Sequence, residues 1–177
     1  MRRQSTWWIL LSAAIVIMVL YNTKKILATP AVGFVGTTIA QGRFGDIDVF
    51  NHFNAPNTSG REHEHSTWVS LQKTRGASDM YVQNNTWQIG GSTGWHSHPG
   101  HSLITVTAGT ITAYEGDDPE CKPHVYTVGM GFVDAGGSHV HIIRNEGDVV
   151  AQTVAVQLIP AGQPRRIEAP DPGNCHF

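Results

Sequence analysis

The sequence predicts an all-β protein, a single antiparallel β-barrel preceded by an N-terminal hydrophobic leader, and three observations carry that prediction. Its 177 residues are one domain's worth. Nineteen Gly and nine Pro accompany a charged fraction of only 15%, the composition of a chain rich in tight turns. Short runs rich in Val, Ile and Thr recur at regular spacing, each closed by turn residues, as in sandwiches and barrels made of hairpins.

The leader comes first. Arg2 and Arg3 precede an apolar run, Trp7 to Tyr21, whose one polar member before the Tyr is Ser12, so residues 1–28 read as a signal peptide or a membrane anchor. A cleaved signal suits the length, because a full span needs about 20 apolar residues and Ile26-Leu27-Ala28 offers a cleavage site. An uncleaved anchor suits Lys24 and Lys25, whose charges would snorkel toward head groups while Ile26 to Ala28 prolong the apolar segment. On either reading the protein is exported, and is secreted or held at the membrane by its N-terminal segment.

Residues 29–65 read as a Gly-, Thr- and Asn-rich extension with a peripheral strand at Ile47-Asp48-Val49-Phe50. The barrel is expected over residues 66–160. Its first strands fall at 68–71, 79–83 and 86–89, divided by Gly76, Asn84-Asn85 and Gly90-Gly91. Clearer strands follow at 103–107, 110–114, 125–128, 139–143 and 153–158, and no helix longer than a turn is needed after the leader. Residues 161–177 form a tail. The only cysteines, Cys121 and Cys175, make an even pair in turn-like contexts of an exported chain, so a disulfide is expected to pin that tail.

Twelve Lys and Arg against fourteen Asp and Glu leave a formal charge of -2 with no basic stripe, which argues against a nucleic-acid partner. Ten histidines are the compositional oddity. On a strand, residues i and i+2 share a face, so His96 and His98 present two imidazoles to one wall of a barrel. His141 recurs on a later strand, with His139 on the same face. Three neutral imidazoles form a facial set for one divalent first-row ion such as Fe, Mn, Zn, Ni or Cu. His101 is a candidate fourth ligand, His139 a residue of the mouth or a support for a ligand, and Glu62-His63-Glu64-His65 a solvated loop or a second metal site. His52, His124 and His176 carry no pattern. Trp95, Tyr114 and Phe132 are candidate apolar walls of the mouth, and Asp134 and Glu146 are loop candidates for a general base.

The stretch from Gly90 to Gly109 resembles the first cupin motif, in which a Gly precedes His-x-His, a Glu and a closing Gly. Where many cupins carry that Glu, this chain has Ser102. The second motif ends in His, three residues and Asn, which His141 and Asn145 match; its Pro-x-Gly is relaxed to Ala135-Gly136-Gly137 and Gly131 lies one residue too close. A Trp-His-x-His-Pro-Gly turn from Trp95, an Arg-Asn-Glu-Gly segment from Arg144 and a Pro-Gly-Asn-Cys tail from Pro172 are similar to a group of small exported bacterial cupins.

The resemblance implies a cupin-type jelly roll holding a metal, with pairing into a homodimer common among such barrels. Among cupins with three histidines it also implies an iron-dependent dioxygenase or related oxidoreductase on a small chelating substrate. Three neutral ligands would leave the ion its full charge and at least two open positions, while Ser102 does no more than hydrogen-bond a ligand. The second reading is a non-catalytic module that captures a small molecule or a metal.

Overall fold

The structure, a computed structural model, describes residues 27–54 and 67–177. Most of the expected leader and the Glu62-to-His65 run lie outside the described residues. In chain order the strands are β1 (Val32–Phe44), β2 (Asp48–Asn54), β3 (Thr67–Lys73), β4 (Ser78–Ser92), β5 (His96–Ser97), β6 (Ser102–Ala108), β7 (Thr110–Glu115), β8 (His124–Thr127), β9 (Gly131–Asp134), β10 (His141–Arg144), β11 (Ala151–Pro160) and β12 (Ile167–Glu168).

Two walls face each other. One runs β1-β4-β11-β6-β9 and the other β12-β5-β10-β7-β8, every pairing is antiparallel, and Arg144 beside Ser92 joins the walls into a nearly closed barrel. Without the added edge strands β1 and β12, this is the eight-stranded order of two interleaved Greek keys, a jelly roll. The expected fold class therefore holds.

Alternation decides which side chains enter. Along β6, Ser102, Ile104 and Val106 are buried while Leu103 and Thr105 face out. Along β11, Ala151, Thr153, Ala155 and Gln157 point inward. The core lies between the walls: Trp87, Val106 and Ala151 from the first meet Ile111, Ala113 and Ile143 from the second. A second cluster sits outside the second wall, where Trp95, Tyr114 and Ile142 are covered by Ala169 and Cys175 of the tail. The Cys121–Cys175 disulfide fastens that cover across a separation of 54 residues.

Three expectations are corrected. The stretch after residue 29 is part of the barrel sheet, because β1 pairs with β4 along almost its whole length. Its alternation was hidden by small and polar residues on a strand that is largely exposed, although Phe34 packs its ring 4.8 Å from that of Trp87. Conversely, Trp68 to Leu71 are not in the barrel sheet: β3 pairs with β2 as a separate two-stranded hairpin. Asn84-Asn85 is no turn either. β4 runs straight through it, since Asn84 and Asn85 pair with Val154 and Thr153 of β11, and the buried Asn85 amide donates to Thr153 Oγ1 at 3.3 Å.

Candidate metal centre

His96 on β5 and His141 on β10 are direct cross-strand partners. His98 lies one residue beyond β5, in the bend that leads to β6. A glycine sets up this corner: Gly94 has φ 67° and a side chain there would meet Thr29 O at 2.2 Å, so only a residue without Cβ fits. The three rings converge, with centroids 4.4 Å apart for His96 and His141, 4.8 Å for His96 and His98, and 5.4 Å for His98 and His141. One ring nitrogen from each lies within 4.8 Å of the others.

Hydrogen bonds orient two of the rings. His96 Nδ1 is 2.9 Å from the carbonyl of Gly94, and His98 Nδ1 meets the carbonyl of Arg165. A carbonyl only accepts, so each draws the ring proton to Nδ1 and leaves the lone pair on Nε2; His98 Nδ1 also has the amide nitrogen of Gln157 against it at 2.9 Å. His141 differs: both its nitrogens are buried without a hydrogen bond. Burial disfavours the imidazolium form, which lowers the His96 pKa and brings that of His141 down to about 4, so both rings are neutral near pH 7. Orphaned buried nitrogens are costly unless something binds them. Three imidazoles at this spacing suit an ion with metal-nitrogen bonds of about 2.0 to 2.1 Å, so the residues fit a divalent first-row ion.

The site opens into a cavity of about 150 Å³ between the walls. Phe34, Trp87, Ile104 and Ile143 give it apolar sides, and Asn85, Thr153 and Gln157 add polar groups on β4 and β11. Arg165 and Arg166, from the tail, complete the lining. Arg166 is held by Glu168 and donates to Thr93 O at 2.7 Å. Arg165 lies over the Tyr81 ring at 5.0 Å and makes no ion pair with a carboxylate among the described residues.

Other candidates fall elsewhere. His101 is not brought to the cluster: it lines an outer groove with Leu71, Leu103 and Pro160, because the bend at Pro99-Gly100 turns it away from the interior. His139, with its ring 6.4 Å from that of His141, is not part of the three-nitrogen cluster; it faces Glu115 at 3.4 Å and shares a small recess with His141 and Asp134. Trp95 and Tyr114 are not mouth residues, since the tail covers them and Phe177 packs 4.9 Å from the Tyr114 ring. Phe132 stacks on Tyr126. Glu146 accepts from the Tyr114 hydroxyl at 2.9 Å, away from the histidines.

Asp134 is the residue whose place the sequence did not convey. It ends β9, is only 6% exposed, and puts a carboxylate oxygen 3.2 Å from His98 Nε2. Polar inward positions on β11, above all Gln157, were the other missed signal, because a buried strand face that carries amides marks a site.

No protein-family model matches the chain, and no curated protein matches it. Similar solved structures include an oxalate oxidase, 19% identical with a TM-score of 0.39 over 46% of this chain and 46% of that one. A cupin-like protein from Thermotoga maritima is 20% identical, with a TM-score of 0.45 over 52% of this chain and 65% of that one. A protein with a double-stranded β-helix domain from Klebsiella pneumoniae is 21% identical, with a TM-score of 0.43 over 51% and 70%. The chain therefore spans about half the length of the oxalate oxidase it is similar to.

The two histidine frames sit on neighbouring strands of the jelly roll, His96 and His98 at β5 and His141 on β10. The barrel is a jelly roll. Within it the metal-ligand candidates occupy the end of the cavity where the second wall meets the tail.

Proposed function

We propose that this chain is an exported metal-binding cupin that holds one divalent ion on His96, His98 and His141 and takes a small chelating molecule into the cavity beside it. The observation that carries the reading is the convergence of three imidazoles on a point where both His141 nitrogens are buried and unbonded. The bound ion would supply Lewis acidity and positions for a chelating ligand. The protein's own groups do the rest. Gly94 O and Arg165 O fix the two Nδ1 protons, which aims both Nε2 atoms inward. Arg165, with no carboxylate partner among the described residues, is placed to meet an anionic group of the ligand.

The activity proposed is that of a metal-dependent dioxygenase or related oxidoreductase on a small chelating acid. The disulfide is consistent with an extracytoplasmic setting. Elemental analysis of purified protein, followed by oxygen uptake on a panel of chelating acids, tests the reading. One ion per chain and uptake with at least one acid are expected. Tight metal without turnover on the panel would favour the non-catalytic binding module, and no bound metal would overturn the proposal.

A further inference from the structure

Asp134 stands out from the other acids because it is buried, sits on the barrel's inner side and is paired with no Lys or Arg among the described residues. Besides the Ser102 hydroxyl, which donates to Oδ2 at 3.5 Å, three contacts define it. Oδ2 lies 3.2 Å from His98 Nε2, Oδ1 lies 3.8 Å from His141 Nδ1, and Oδ1 also accepts from the backbone N–H of Gly136 at 3.0 Å. The carboxylate thus faces two of the three imidazoles while one turn bond holds its orientation.

The facing of His98 and Asp134 is informative. His98 Nδ1 has both the Arg165 carbonyl and, at 2.9 Å, the Gln157 amide nitrogen against it; with the Nδ1 proton given to the carbonyl, the ring turns an Nε2 lone pair toward a carboxylate oxygen. Two acceptors at that distance need a positive charge between them, from a proton or a metal ion. The span also fits one ion. Two donors at a right angle, each about 2.1 Å from a metal, lie about 3 Å apart.

The second clue is register. Ser102, the position where the cupin motif expects a glutamate, is the direct cross-strand partner of Asp134 on β9, and its hydroxyl is 3.5 Å from Asp134 Oδ2. A carboxylate missing from β6 is present one strand over, entering the same end of the barrel. A close fit of two bends holds it there: a side chain at Gly136 would meet Gly100 O at 2.2 Å, so the turn after Asp134 packs directly on the turn after His98.

We propose that Asp134 is the anionic ligand of the ion held by His96, His98 and His141, supplied by β9 in place of the carboxylate absent at Ser102. This rests on the metal-binding reading above. It changes the chemistry expected there: one negative ligand lowers the net charge of the centre and leaves one fewer position for an incoming molecule. It also explains why a small residue is tolerated at Ser102, because a longer acid there would collide with Asp134.

The test uses the full chain, stripped of metal and titrated with Co(II) and Mn(II) against a competing chelator. Wild type should bind one ion and His96→Ala should lose it; if wild type binds none, or His96→Ala binds as wild type does, the metal-binding reading fails and this proposal with it. Where both hold, Asp134→Asn decides the ligand. The amide keeps the acceptor for Gly136 N–H, so the turn should survive. A loss of more than about 100-fold with a shifted Co(II) visible spectrum is expected, whereas a loss inside the 10- to 100-fold range typical of groups that only orient ligands would overturn it. Two further readouts keep the proposal exposed should the amide variant fold poorly. In Asp134→Ala, adding Ser102→Glu should recover at least tenfold in affinity, and the infrared difference spectrum of wild type should show a carboxylate band that shifts on addition of one equivalent of Mn(II). No shift in that band would overturn the assignment.

Discussion

His96 and His141 are cross-strand partners whose rings lie 4.4 Å apart, so the short pairing of β5 with β10 builds the centre. Neither ring is useful alone. His96→Ala or His141→Ala should therefore abolish most metal affinity, measured by chelator competition, while leaving the far-UV spectrum unchanged. Stripping the metal should also lower the melting temperature, because a ligand present at 100 times its dissociation constant adds about 2.7 kcal/mol to the folded state.

Acid should destabilise the metal-free protein through His141. Burial brings its pKa from an ordinary value near 6.5 down to about 4. Between those values the unfolded chain binds a proton that the folded chain does not, so stability is full above about pH 6.5 and falls as the pH drops toward 4. The contribution reaches about 3 kcal/mol. Denaturant titrations at pH 7.5 and pH 5 check it, and His141→Gln should shrink the difference without abolishing it, because burial lowers the His96 pKa as well. Equal stability at both pH values would refute it.

The disulfide holds the tail over Trp95 and Tyr114. Opening the loop it closes should cost about 4 kcal/mol in the chain-entropy view. For a domain of this size, that is a fall of roughly 10 °C in melting temperature. Cys121→Ser with Cys175→Ser, or simple reduction, should show it, together with a red shift in tryptophan emission as Trp95 is uncovered.

Much of this was legible in the residues because period and motif agreed. The β6 and β11 strands alternate plainly, and His96, His98 and His141 carried both their face and their spacing. β1 was not legible, since a mostly exposed strand has no apolar face to announce it. β4 was misdivided for a related reason. An Asn pair reads as a turn unless its tertiary partner, here Thr153, is known. Asp134 was visible as an acid near the second motif, but its place opposite Ser102 depends on a pairing between strands about 30 residues apart, which no local pattern encodes. Tail residues such as Arg165 enter the cavity only because the chain returns past the barrel's end.

Ser102→Glu in an otherwise native chain distinguishes a vacant ligand position from one already served. If the space beside Ser102 were open, restoring the motif's glutamate would raise metal affinity. The structure places the buried Asp134 carboxylate there instead, with the Ser102 hydroxyl 3.5 Å from its Oδ2. A second carboxylate would face the first at a buried position, and one of the two would be pushed toward holding its proton. A carboxyl pKa raised by about two units corresponds to roughly 3 kcal/mol lost at pH 7. Sign follows from proton binding: the folded variant retains a proton that the unfolded chain has released, so the loss should grow from pH 4 to pH 7 and then level off. Ser102→Glu should therefore melt earlier than wild type without metal, most of all at neutral pH, and should bind Mn(II) no more tightly. Chemical denaturation at pH 4.5 and pH 7, with a Mn(II) titration alongside, measures both. A variant as stable as wild type at pH 7 that also binds metal more tightly would show that the position beside Ser102 is open and that Asp134 does not fill it.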